Sequence, residues 1–190
     1  MPVQKYHSQF GVTLIELLVA MSILAISLSI MLPSFGSLIG NNKLLGHADE
    51  IRTALVYARS EAIRLNEAVV FCHSNNNMTC TVPGTNGWEG WIVQTAAVAL
   101  AAPAVPALRA GFFPSAPMKV TSDPNLTAAG HIVRFTPQGL ARMPANNTPL
   151  SAQIRFCIAQ AQTKPNIRDL QFDSGGRIVL RSSDASGVCA

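Results

Sequence analysis

The first pattern along the chain is an unbroken apolar run. Val12 to Leu32 read VTLIELLVAMSILAISLSIML, 21 residues with Glu16 as their one charge. As a helix this run is ~31 Å long, enough to cross a bilayer. Pro33 follows, and a helical pattern then continues. Leu44, Ala48, Ile51, Leu55, Ala58, Ala62 and Leu65 recur every three or four residues, which marks one face of a helix. Arg52, Arg59, Glu61 and Arg64 fall largely on the other faces. The stripe is read as packing on the chain's own sheet. The apolar face before Pro33 has no such cover and is read as a surface for lipid. Pro33, Gly36, Gly40 and Gly46 separate the two parts and are expected to bend or loosen the helix there.

After Asn66 the period shortens. AVVFC (68–72), MTCTV (78–82), WEGWIVQ (88–94), MKVTS (118–122), HIVRFT (131–136), AQIRFCIA (152–159), DLQFD (169–173) and RIVLR (177–181) read as strands. Pro137-Gln138-Gly139, Pro165-Asn166 and Ser174-Gly175-Gly176 supply turns. HSNNN between the first two strands makes a hairpin that sets Cys72 and Cys80 on facing strands. One helix followed by several short strands predicts an α+β fold with an antiparallel sheet. Trp88 and Trp91 are read as core anchors. The Ala- and Pro-rich stretch 96–110 is either a mobile surface loop or a short helix at 96–102.

Composition sharpens this picture. The chain has 190 residues, 48% hydrophobic and 13% charged, which fits one globular domain beside a membrane segment. A net charge of +4 permits an acidic partner without demanding one. The cysteines, Cys72, Cys80, Cys157 and Cys189, are even in number and form no CxxC pair. Disulfides in an oxidising compartment are the better reading. Of three connectivities, Cys72–Cys80 through the hairpin and Cys157–Cys189 at the C-terminus are expected. His7, His47, His73 and His131 share no metal spacing, and no GxSxG, HExxH, Walker A or GxGxxG occurs. No enzyme activity, metal, cofactor or small-molecule substrate is expected.

Glu16 is the unusual residue. A carboxylate at the centre of a bilayer costs ~2.5–3.5 kcal/mol on insertion scales. A solvated site at headgroup level is the bland explanation; a nearby cation is the sharper one. Cleavage between Gly11 and Val12 would place a new amino terminus four residues from Glu16. QFGVTLIELLVAMSIL resembles the class III signal of type IV prepilins and type II secretion pseudopilins. Val12 stands where Phe is most common. The resemblance implies cleavage after Gly11 by a prepilin peptidase and N-methylation of Val12. It also implies that Glu16 pairs with the terminal amine of a neighbouring subunit. ARSEAIRLNEAVVFC (58–72), GWEGWIVQ (87–94), RFTPQGLAR (134–142) and RFCIA (155–159) are similar to the GspH/FimT group.

The resemblance implies a type IV pilin-like architecture. It has a leader at 1–11, a helix at 12–66 that is transmembrane over 12–32, and a β-rich domain at 67–190. It implies a minor pilin in the tip or priming complex of a type IV pilus, with major and other minor pilins as partners. The chain would sit in the inner membrane before assembly, and at the periplasm or cell surface afterwards. A type II secretion pseudopilin is one alternative, and a minor pilin that takes up double-stranded DNA is another. DNA-binding members of the group carry Gly-Arg-x-Arg near the C-terminus. Here Gly176-Arg177-Ile178-Val179 matches only the first half, and Arg181 comes two residues late. In a strand Arg177 and Arg181 share a face with ~13 Å between them, a spacing that lets each contact a phosphate of one backbone. The alternative is a solvated strand edge in which arginine discourages edge pairing. The broken motif favours the structural role.

Overall fold

A computed structural model of the chain describes residues 11–99, 107–114, 116–160 and 163–189, excepting the side chains of 30–35 and 99. The leader residues 1–10 and most of the Ala/Pro-rich stretch lie outside it. Helix α1 spans Leu14–Leu65. Thr13 caps its start, and Asn66 closes its end in the left-handed conformation, φ 52°, donating its N–H to Ala62 and Ile63 carbonyls. The helix runs unbroken through Pro33 and the three glycines. A single proline removes one backbone bond while the flanking turns keep theirs. Gly40 is a close-approach site rather than a hinge, because a Cβ there would collide with Thr163 Oγ1.

The stripe forms the helix's buried face. Leu44, Ala48, Ile51, Leu55, Ala58 and Ala62 are fully buried, and Leu65 ends the stripe half-exposed. Its alanines let the helix sit close to the strands. Arg59 and Glu61 depart from the solvent faces assigned to them. Glu61 is buried, and Arg59 Nε is shielded from solvent.

Two antiparallel sheets clasp this face. The first holds β1 (Val69–His73), β2 (Gly90–Thr95), β3 (Arg109–Phe112), β5 (Ile132–Phe135) and β6 (Ala141–Arg142) in the order β3-β2-β1-β5-β6. The second holds β4 (Met118–Ser122), β7 (Ala152–Ile158), β8 (Ile167–Phe172) and β9 (Ile178–Ser183) in the order β4-β7-β8-β9. The sheets meet where Trp88 N–H donates to the Val120 carbonyl at 2.8 Å and Ala141 N–H to the Ser174 carbonyl at 3.0 Å. Phe71 stacks between Trp88 and Trp91, with centroids 5.7 and 5.9 Å away. Both tryptophans are buried core anchors.

Residues 78–82 are not a strand, contrary to the alternation there. β1 is central, with β2 on one edge and β5 on the other, so no edge remains for a hairpin partner. Asn76 Oδ1 instead accepts the N–H groups of Met78 and Thr79, at 2.9 and 3.0 Å, and curls the chain over the sheet. Of the two readings left open for the Ala/Pro-rich stretch, its described start is a short helix, α2 (Ala96–Ala99). The pattern also missed β3, the two-residue β6 and the short α3 (Pro124–Ala128), all too brief to show a period.

Candidate functional site

The N-terminal end is built by a helix cap. Gly11 and Val12 are exposed, and the helix begins two residues after Val12. Thr13 Oγ1 accepts the Glu16 N–H at 3.3 Å. Thr-x-x-Glu is the sequence form of a capping box, a signal the sequence reading left unused. Glu16 thus lies in the first turn, where the helix end is partially positive and favours a carboxylate. Leu14, Ile15, Leu17, Leu18, Val19, Met21, Ile23, Leu24, Ile26 and Leu28 are at least half-exposed. Among the described residues no helix is long and apolar enough to cross a membrane. The expected span over 12–32 extends into residues whose side chains are not described.

The C-terminal arginines part company. Arg177 and Arg181 are exposed and line one shallow groove of about 370 Å³ with Val179, Gln153 and Gln171. Arg155 lies on the same outer face but grips Asp169 through two bonds of 2.8 and 3.1 Å. That carboxylate raises the Arg155 pKa above its ordinary value, mainly through its hydrogen bond. Arg168 is on the opposite, helix-facing side, is buried, and donates to Asn41 and to the Ile167 carbonyl. Desolvation lowers its pKa. Asp123 and Asp173 also line the groove.

The cysteines are joined as Cys72–Cys80 and Cys157–Cys189, with Cα separations of 5.6 and 5.7 Å. Phe71 faces the helix, so Cys72 points to the sheet's far side. Its bridge clamps the 74–80 loop there, where Cys80 Sγ lies 3.9 Å from Gln94 Nε2. The second bridge holds the tail to β7, beside Asn166, which accepts the Ala185 N–H at 2.8 Å.

A buried polar cluster went unnoticed in the sequence. His73 is 1% exposed; its Nδ1 lies 3.0 Å from the Thr81 carbonyl and its Nε2 accepts the Glu89 N–H at 3.3 Å. Trp88 separates it from His131, whose Nδ1 meets Ser122 Oγ at 2.8 Å. Desolvation lowers the pKa of both histidines, and the neighbouring His73 adds to the effect on His131. Among the described residues no group of three or more His, Cys, Asp or Glu is placed to hold a metal.

A long helix, bare over its first turns and packed on antiparallel sheets over its second half, gives an α+β pilin-like fold. Residues 6–32 match the prokaryotic N-terminal methylation motif. Residues 47–185 match the family described as type II transport protein GspH, and the chain belongs to that family. The fold is similar to the crystal structure of the Pseudomonas aeruginosa PAO1 type IV minor pilin FimU in space group P21. That match has 21% identity and a TM-score of 0.51 over 77% of this chain and 96% of that one. A second FimU crystal form, in space group P65, matches at 19% identity and a TM-score of 0.49, covering 76% and 99%. No curated protein matches the chain significantly. The two family matches and the fold put the chain among minor pilins and pseudopilins.

Proposed function

We propose that the protein is a minor pilin built into a type IV pilus through its N-terminal helix. The observation that carries this reading is the exposed apolar stretch from Leu14 to Leu28, with Glu16 as its one charge, inside a methylation motif. Such a face must be covered by lipid or by other helices. Prepilin peptidase cuts between Gly11 and Val12, and Val12 becomes the N-methylated terminus. The helix holds the subunit in the inner membrane until assembly transfers it to the filament with the major and other minor pilins. In the filament the Glu16 carboxylate pairs with a neighbour's terminal amine, a charge pair that apolar surroundings strengthen. No catalytic step is required of the chain. FimU, similar in fold, is itself described as a type IV minor pilin.

Mass spectrometry of the protein recovered from filaments tests the processing. The expected mass is that of the chain from Val12 plus one methyl group. A chain retaining Met1, or beginning beyond Ala20, overturns the reading. Glu16→Ala is expected to leave membrane insertion intact and to reduce recovery in filaments; normal recovery would remove the pairing role.

A further inference from the structure

Four strand edges terminate the two sheets, and two of them are spoken for. β6 passes its edge to the β8–β9 turn through Ala141 and Ser174, and β4 passes its edge to Trp88 through Val120. β3, four residues long, and β9, six residues long, stay open among the described residues. The ladder shows which groups of β9 are free. Asp173 donates its N–H to the Arg177 carbonyl at 3.1 Å, so these two form a hydrogen-bonded pair. Alternation makes 171:179, 169:181 and 167:183 the next such pairs. The N–H and C=O groups of Ile178, Leu180 and Ser182 therefore point away from the sheet.

The side chains along this edge are sorted by face. Ile178 and Leu180 pack in part against the core and present aliphatic surface on the helix side. Arg177 and Arg181 flank Val179 on the outer side, and neither forms an ion pair among the described residues. The nearby carboxylates are already engaged. Asp169 is held by Arg155, Asp173 Oδ1 accepts the N–H groups of Gly175 and Arg177, and Asp123 Oδ1 accepts that of Leu126. The edge thus offers backbone pairing, an apolar inner side and two outer arginines that form no ion pair among the described residues.

We propose that the open edge of β9 binds an extended segment of another protein, added as a fifth strand of this sheet. Strand addition draws affinity from main-chain bonds and specificity from alternate side chains. With a period of two, one set of partner side chains lies beside Arg177 and Arg181, and the other beside Ile178 and Leu180. The chemistry selects a segment in which acidic and aliphatic residues alternate. A second copy of β9 is a poor occupant, since it would gather four arginines along one seam. The proposal does not depend on the filament reading, because any protein with such a segment would serve.

The test uses the full chain in detergent micelles and a labelled synthetic peptide that alternates glutamate and valine. Two controls accompany it: the same peptide with lysine for glutamate, and the glutamate peptide with alternate backbone amides N-methylated. The glutamate peptide is expected to bind, and each control to bind at least about tenfold more weakly, a difference of about 1.4 kcal/mol. Arg177→Ala with Arg181→Ala is expected to weaken the glutamate peptide to a similar degree. Absence of binding at about 1 mM peptide overturns the proposal. Equal binding of the N-methylated peptide also overturns it, because charge attraction alone would then be at work. Both outcomes are read on the unaltered chain, so they do not depend on how the variant folds.

Discussion

Arg59 on α1 donates to the carbonyl oxygen of Gly176 at 3.1 Å and so ties the helix to the turn that leads into β9. Gly176 holds φ at +82°, and a Cβ there would lie 2.7 Å from Arg59 Cζ. Gly139, in the turn between β5 and β6, faces Arg59 Nε in the same way at 3.0 Å. One guanidinium therefore seats against the turns of both sheets. The glycine of the partial Gly-Arg motif has a structural task that needs no nucleic acid.

Gly176→Ala is expected to destabilise the fold by about 1–3 kcal/mol, from left-handed strain plus the collision. Arg59→Ala removes the colliding group. In the double variant the two losses are expected to fall short of additive. Urea denaturation of the four proteins measures this; strict additivity would mean that Arg59 and Gly176 do not act on each other.

Acid should weaken the β1–β2 region. His73 and His131 are held neutral, with pKa values lowered chiefly by desolvation. The folded state then binds fewer protons than the unfolded state, and stability rises with pH wherever that difference exists. Their contribution is complete above about pH 6.5, the unfolded histidine value. It declines as pH falls below that toward the lowered folded values. Glu89 is the charged group whose field acts on His73 in the opposite sense. Protonation at His73 Nε2 would also set one N–H against the Glu89 N–H it now accepts. His73→Gln is expected to flatten the dependence of the melting temperature between about pH 5 and 7. Trp88, in edge contact with the His73 ring, makes fluorescence a local reporter.

The C-terminal bridge closes a long loop, with a sequence separation of 32. Replacing Cys157 and Cys189 together by serine is expected to cost roughly 2–4 kcal/mol. It should also free the tail after Ser183 for proteolysis. The paired change at Cys72 and Cys80 is expected to expose the 74–80 loop instead, leaving the tail resistant. Limited proteolysis followed by peptide mapping separates the two outcomes.

Double-stranded DNA is expected to bind weakly or not at all at physiological salt. Arg155 is consumed by Asp169 and Arg168 is buried against α1, which leaves Arg177 and Arg181. Two phosphate contacts give a salt slope of only ~1.8 and an affinity no better than ~10⁻⁴ M. A mobility shift with the full chain in detergent checks this. Low-micromolar binding lost in Arg177→Ala with Arg181→Ala, with circular dichroism unchanged, would make the chain a DNA receptor.

The sequence by itself determined the elements whose signals are local. The apolar run, Gly11 and Glu16 lie within one short stretch, and the stripe from Leu44 to Ala62 repeats over five turns. Hydropathy marks the run and period marks the stripe, whereas Gly11 and Glu16 stand out through their resemblance to a prepilin signal. Seven of the nine strands among the described residues were legible from composition and turns, and so was the burial of Trp88 and Trp91. Tertiary structure decided what depends on neighbours. Residues 78–82 alternate like a strand, yet β1 has no free edge to pair with them. Arg59 and Arg168 look like surface cations, and only the packing of α1 on both sheets encloses them. Arg155, Arg168, Arg177 and Arg181 form one basic cluster along the chain. The period of two sends Arg168 to the helix side and the other three to the outer face, where Asp169 claims Arg155. A strand's side-chain pattern fixes which faces exist; which face meets a helix, a loop or solvent is set by the arrangement of the sheets.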